Sequence, residues 1–271
     1  MNDTYIDPKW EKALVDAGLT DFEAMWNVSL ETVDDTNVRR GGWSQAYIMP
    51  LRLDGGKAIR TIVKRHMNHS TRTIAHPVIG IPTLRREFHN IQQCHRFNIP
   101  TVEAVYYAER HEPGKRRAIL VTEYLEGYVS LHDLVLQWRR QGWPDPSERR
   151  PVIEAVARCI RQLHRHKLQH GHLQPKHILL RSDHGEVDAR LIDLECMRAT
   201  PTRRRCRVRD LTTLYRHLRS CSNPDRLRFA LAYAQTQRLD ARTRRLCHQV
   251  LARTRRKEAH HRSKSPLRRT R

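Results

Sequence analysis

The chain has 271 residues, with 51 Lys+Arg against 29 Asp+Glu, a formal charge of +22; it is 38% hydrophobic and 30% charged. That apolar share and length suit one large domain or two lobes and exclude a wholly disordered chain. No stretch approaches the ~20 apolar residues of a membrane span.

The opening MNDTYIDPKWEKAL has acids where a secretory signal carries a basic and then an apolar region, so no secretory leader is expected. The six cysteines form no C-x-x-C pair. They read neither as a zinc site nor as a disulfide framework, and a cytoplasmic location follows. The surplus of positive charge calls for a polyanionic partner: nucleic acid, an anionic membrane surface or a phosphorylated substrate. Aromatic residues are scarce at 6%, so no platform for stacking single strands is expected, and no specific nucleic-acid partner.

Along the chain, Asp7-Pro8 starts a first helix carrying Trp10 and Leu14, and Asp21 caps a second with Phe22, Met25 and Trp26. From 37 to 66 the pattern becomes strand-like, with Gly41-Gly42 and Gly55-Gly56 as turns of an antiparallel meander. Residues 83–97 form a helix whose stripe is Leu84, Phe88, Ile91 and Cys94. Glu87 lies in that stripe, and a carboxylate on a buried face needs a cationic partner. Strands follow at 101–108 and 117–124. Thereafter the chain is mostly helical, at about 130–141, 148–168, 207–220 and 224–251. A non-helical segment at 169–196 holds a small hairpin, Ile178–Leu180 against Ala189–Leu194. The expected organisation is an N-terminal extension and sheet lobe over 1–124, a helical lobe over 125–251 and a basic disordered tail over 252–271.

The order of parts carries the functional reading. A Gly turn between strands is followed by a strand lysine, Lys64, then the helix acid Glu87 and the connector Leu-Val-Thr-Glu-Tyr-Leu-Glu-Gly containing Glu123. Next come the loop His-Gly-His-Leu-Gln-Pro-Lys-His-Ile-Leu-Leu from His170 and, 23 residues on, Asp193 in Leu-Ile-Asp-Leu-Glu. Protein kinases arrange their parts in this order. Beside the kinase loop H-R-D-L-x-P-x-N-I-L-L, this chain has His172 in place of Asp and His177 in place of Asn.

The chain resembles the bacterial lipopolysaccharide core kinases, and within them the InaA-like proteins. The resemblance rests on 39–44 (Arg-Arg-Gly-Gly-Trp-Ser), 62–65, 85–91, 170–178, 191–195 and 209–211, and covers about residues 37–220. It implies an α+β, bilobal protein-kinase-like fold with a small antiparallel sheet lobe and a helical lobe. It also implies ATP and Mg²⁺ as cofactors and a lipopolysaccharide core or lipid A acceptor. On this reading Lys64 holds nucleotide phosphates and Glu87 orients it. Gly41, Gly42, Ser44, Glu123 and His177 contribute to the nucleotide site, although 41–44 reads equally as a plain hairpin turn. Asp193 and Glu195 are the metal ligands, His172 is the base, and His170 scaffolds the loop. Asp210 resembles the acid that braces the catalytic loop. Arg203, Arg204 and Arg205, in the arginine-rich stretch before Asp210, suit an anionic acceptor. The basic tail suits peripheral attachment to the anionic inner membrane. With His at 172, a pseudokinase that binds nucleotide or anionic lipid without efficient transfer is the alternative. Oligomeric state is not legible in the sequence.

Overall fold

The computed structural model describes residues 4–32, 37–39, 42–53, 56–71 and 80–264. The chain divides into two compact units, Met1–Arg96 with Thr101–Glu126, and Phe97–Pro100 with Gly127–Arg271.

The first unit is an antiparallel sheet between two helical layers. Its strands are β1 (Thr4–Ile6), β2 (Glu31–Thr32), β3 (Asn37–Arg39), β4 (Gly42–Arg52) and β5 (Ala58–Met67). A short pair, β6 (Ser70–Thr71) and β7 (Ile81–Pro82), precedes β8 (Ala104–Glu112) and β9 (Lys115–Glu123). The seven-stranded sheet runs β1-β8-β9-β5-β4-β2, with β3 also paired to β4. On one face lie α1 (Pro8–Asp16) and α2 (Phe22–Asn27). Asp7 caps the first, accepting from the Lys9 N–H at 3.0 Å, with Pro8 preset for the first turn; Asp21 caps the second, accepting from Glu23 at 2.8 Å. These helices bury Trp10, Leu14, Phe22 and Met25 against Met49, Val63, Val105, Tyr106, Ile119 and Val121. Each such side chain contributes roughly 1.5–3 kcal/mol. A β-bulge between Ala104 and Tyr106 lets the successive Val105 and Tyr106 both enter this core.

The opposite face takes α3 (Thr83–Arg96), through Leu84, Phe88, Ile91 and Cys94. Phe88 stacks on Tyr107 with ring centroids 4.7 Å apart. Because side chains alternate along a strand, Val63 faces α1 and α2 while Lys64 faces α3. The strand period thus selects Lys64 as the residue that meets Glu87.

The second unit holds α4 (Leu131–Gln141), α5 (Pro146–Arg165), α6 (Arg203–His217), α7 (Asn223–Ala234) and α8 (Ala241–Lys264). A three-stranded sheet, β10 (Val129–Ser130), β12 (Ile178–Asp183) and β13 (Glu186–Leu191), lies in order β10-β12-β13; β11 (Leu168–Gln169) pairs with β14 (Arg198–Ala199). The six described cysteines are free, and no helix among the described residues is long and apolar enough to cross a membrane.

Three sequence expectations need correction here. The single helix expected over 224–251 is two, α7 and α8. Gln235 adopts a left-handed conformation (φ 56°) and ends α7, the Thr236 N–H returning to the Leu231 carbonyl at 3.1 Å. Asp240 then accepts the Thr243 N–H at 2.6 Å before α8. The tail expected to be disordered from 252 is helical through Lys264. Val250 and Thr254, one turn apart, are both buried, and Glu258 pairs with Arg219, so two buried positions and an ion pair do the work of an apolar stripe. Finally, the helix expected from about 207 starts earlier, so Arg203, Arg204 and Arg205 form the first turn of α6, capped by Thr202.

Candidate active site

In the first unit the centre is an ion pair. Lys64 Nζ on β5 donates to Glu87 Oε1 on α3 at 2.6 Å, the two side chains being 26% and 4% exposed. The acid in the apolar stripe has the cation that burial demands. Gly42 opens β4 where the chain passes close to the end of β5. A Cβ there would lie 2.6 Å from the Met67 and Asn68 carbonyl oxygens, so backbone packing alone requires glycine. Ser44 pairs across the sheet with Asn37 and His66. Glu123, at the end of β9, accepts the Glu103 N–H at 3.0 Å. Gly41 lies outside the described residues.

In the second unit the loop after β11 is held from beneath by Asp210 on α6, which is almost fully buried. One carboxylate oxygen accepts the His170 N–H at 2.7 Å, the other the Gly171 N–H at 3.1 Å. Gly171 has φ +83°, and a Cβ would meet the Cys196 carbonyl at 2.6 Å, so no other residue fits that turn. His170 is buried and donates from Nε2 to the Ile192 carbonyl at 3.1 Å, joining the loop to the end of β13. Burial pushes its pKa down, against the opposing charges of Asp210 and Asp193.

Past β13 the chain turns sharply. The Ile192 N–H donates to the His177 carbonyl at 3.1 Å, and Asp193 takes a left-handed conformation (φ 61°, ψ 57°) ahead of a 3₁₀ turn, Leu194–Cys196. That strained conformation swings the Asp193 carboxylate towards the loop. Its Oδ2 lies 3.1 Å from His177 Nε2 and 3.8 Å from His172 Nδ1. His177 Nδ1 donates to the His172 carbonyl at 2.8 Å, and the Gln174 amide touches His172 Nε2 at 2.5 Å. Burial lowers the His177 imidazole to about 4, Asp193 opposing.

His172, His177 and Asp193 therefore offer three ligand atoms within 4.8 Å of one another, a group that includes neither Glu195 nor any other described acid. Glu195, expected beside Asp193 as a metal ligand, lies outside this group of one carboxylate and two imidazoles. Mg²⁺ requires oxygen donors at near-octahedral geometry, and this set supplies oxygen from one side chain of three. The donors fit Mg²⁺ poorly.

The expected acceptor-binding arginines separate. Arg203 Nε donates to the Arg165 carbonyl at 3.1 Å and Arg204 Nε to Gln249 at 3.2 Å. Arg205 instead joins a basic face. Arg209 is held below its ordinary pKa by burial and then by the charges of Arg205, Arg253 and Arg198; Lys257 is held down by burial and by Arg253, Arg216 and Arg209. His217 is lowered by burial and then by Arg216, His172, His132 and Lys176, so positive charge continues from this face to the loop. The sequence reading had Arg209 in the arginine-rich stretch and Arg253 and Lys257 in the basic tail, but only the packing of α6 against α8 gathers them on one face. That reading missed His164, whose Nε2 lies 3.2 Å from Asp210 Oδ2; a histidine inside an amphipathic helix carries no signal of its own.

Comparison with known proteins gives the same direction throughout. The sequence profile of the lipopolysaccharide kinase (Kdo/WaaP) family matches residues 23–233. Protein InaA of Escherichia coli K12 is 28% identical over 211 residues, covering 78% of this chain and 94% of InaA. The lipopolysaccharide core heptose(I) kinase WaaP of Pseudomonas aeruginosa is 33% identical over 165 residues; the match takes in 58% of this chain and 60% of that protein. A solved structure of WaaP in complex with acyl carrier protein superposes with a TM-score of 0.68 at 24% identity, covering 94% of this chain and 97% of that one. The fold is protein-kinase-like, as the motif order implied.

Proposed function

The chain belongs to the lipopolysaccharide kinase (Kdo/WaaP) family, and from that premise we propose that it is an ATP-dependent phosphotransferase acting on a sugar of the lipopolysaccharide core. It works at the cytoplasmic face of the inner membrane. The observation that carries the reading is the Lys64–Glu87 pair: a strand lysine held at 2.6 Å by a buried helix acid. Such a lysine is fixed in place to neutralise nucleotide phosphates, and phosphoryl transfer is mostly positioning and charge neutralisation.

In the reaction the acceptor hydroxyl oxygen bonds the terminal phosphorus, the bond from phosphorus to the bridging oxygen breaks, and ADP leaves. The hydroxyl proton passes to solvent or a base. Asp210, through the His170 and Gly171 N–H groups, keeps the loop in one conformation. Arg205, Arg209, Arg253 and Lys257 suit an acceptor that already bears phosphate, and the same charges favour an anionic membrane surface.

A second partner is supported by a specific feature. The helical unit has a half-open cavity of about 420 Å³ whose lining includes Val135, Trp138, Val156, Leu214, Phe229 and Leu246. WaaP is seen with acyl carrier protein, and an acyl chain on that partner would match an apolar cavity of this kind.

The test is transfer of labelled γ-phosphate from ATP to purified core lipopolysaccharide, with Asp193→Ala as control and Mg²⁺ or Mn²⁺ supplied in parallel. Label in the glycolipid that disappears in the variant supports the kinase. Nucleotide binding without label favours the pseudokinase. Neither label nor nucleotide binding overturns both.

A further inference from the structure

The disagreement between the donor set and Mg²⁺ points to a different ion. We propose that His172, His177 and Asp193 form a two-imidazole, one-carboxylate site for a divalent transition ion of the Mn²⁺ to Zn²⁺ series.

The geometry at His177 is the first support. A backbone carbonyl can only accept, so the contact from His177 Nδ1 to the His172 carbonyl at 2.8 Å puts the ring proton on Nδ1. In the neutral ring Nε2 then carries a lone pair. That lone pair faces Asp193 Oδ2 at 3.1 Å, an acceptor against an acceptor. A cation between the two atoms turns this repulsive contact into a favourable one. Metal-ligating histidines characteristically give their other N–H to a backbone carbonyl or another polar group, and His177 has that arrangement in place.

The geometry at His172 is the second. Its Nε2 is met by the Gln174 side-chain amide at 2.5 Å. The contacting atom is the amide nitrogen, which leaves the ring proton on Nδ1; turning the amide about its last bond presents the oxygen instead, so that Nε2 carries the proton and Nδ1 keeps a lone pair on the side of Asp193, 3.8 Å away. His177 has this arrangement as it stands, and His172 reaches it by the turn of one amide; each ring then has its second nitrogen occupied and its first directed to one carboxylate. The His172 side chain is 43% exposed and has room for the few tenths of an ångström needed to close on an ion.

The donor chemistry decides the class. Imidazole nitrogen suits Zn²⁺, Co²⁺, Fe²⁺ and Mn²⁺, whereas Mg²⁺ selects oxygen. Three protein ligands leave coordination positions open, as in catalytic rather than structural sites. His172 then acts as a ligand and not as the base expected from its loop position. The proposal uses the kinase reading only to place phosphate oxygens in the open positions; ion binding itself is measured without nucleotide, so the two readings fail separately.

The probe is Co²⁺, titrated into the tag-free full-length chain without nucleotide and followed by visible d–d absorption and by thermal unfolding. A single site that absorbs as nitrogen-ligated Co²⁺, is displaced by Zn²⁺ and is not displaced by a hundredfold excess of Mg²⁺ is the expected result. His172→Ala, His177→Ala and Asp193→Asn each weaken Co²⁺ by about tenfold or more. Asp193→Asn preserves shape, and each variant's melting temperature without metal establishes that it folds. Metal-induced stabilisation present in the wild type is lost in the variants. Unchanged Co²⁺ affinity in His172→Ala or His177→Ala, or displacement by Mg²⁺, overturns the site. Equal transfer activity with Mg²⁺ alone after chelation of transition ions overturns its catalytic use while leaving the kinase reading intact.

Discussion

His164 and Asp210 are buried together, with His164 Nε2 3.2 Å from Asp210 Oδ2 and neither side chain more than 1% exposed. The Tyr233 hydroxyl closes the group, 2.8 Å from His164 Nδ1. The carboxylate can only accept, so His164 donates from Nε2 and accepts the tyrosine proton at Nδ1. Burial raises the Tyr233 pKa, which keeps that proton in place. The same carboxylate receives the two loop N–H groups, so an internal triad of α5, α6 and α7 sets the position of the loop from His170.

Replacing Asp210 by Ala should therefore disturb stability and activity together. Three buried donors lose their acceptor at once, at about 1–3 kcal/mol each before relaxation. A net loss of about 3 kcal/mol is expected, read as a lower urea midpoint at unchanged slope. His164→Ala should cost stability while retaining more transfer activity, because the loop N–H groups keep their carboxylate.

Lys64 and Glu87 should separate differently. On the proposed function Lys64→Met removes the charge that would face phosphate, and kcat should fall by about 10²-fold or more with the fold intact. Glu87→Gln leaves the lysine present but less firmly placed, and a smaller loss, about tenfold, is expected. Steady-state turnover on core lipopolysaccharide, with circular dichroism of each variant, checks both. Equal losses would show that Glu87 does more than orient.

Acid should weaken the first unit through His66. This side chain is 7% exposed, and burial, with lesser repulsion from His69 and Lys64, lowers its pKa to about 3 from an ordinary 6.5. The unfolded chain binds the proton more readily. Stability from this group is thus fully present above pH 6.5 and declines as pH falls towards 3, by up to about 1.4 kcal/mol per pH unit. Urea midpoints between pH 7.5 and 4.5 should drop in the wild type. His66→Phe should flatten that slope.

The basic face should govern acceptor affinity more than turnover. Reversing charge in Arg209→Glu with Arg253→Glu should weaken binding to core lipopolysaccharide or anionic vesicles. About 1 kcal/mol, or roughly fivefold, is expected for each residue neutralised. Wild-type binding should itself weaken with salt over 0.05–0.5 M, on the order of the change in Debye length. Isothermal titration with vesicles lacking anionic lipid supplies the reference.

What could be read along the chain was whatever one element carries within itself. Asp7-Pro8 and Asp21 are caps, the apolar stripe of α3 is periodic, and Glu87 within it demands a cation by burial alone. The loop from His170 and the strand end at Asp193 declare a kinase-like site by order and spacing. The tertiary structure decided the rest, because it depends on residues brought together from far apart. Strand period and register choose Lys64 over its neighbours as the partner of Glu87, 23 positions away. Asp210 reaches back 46 positions to His164. Asp193 meets His172 and His177 because its left-handed turn aims the carboxylate at the loop. The basic end is helical because α6 gives α8 a surface on which Val250 and Thr254 are buried. Local patterns register propensity and periodicity. A charge network or a ligand set is a property of the distances that folding creates.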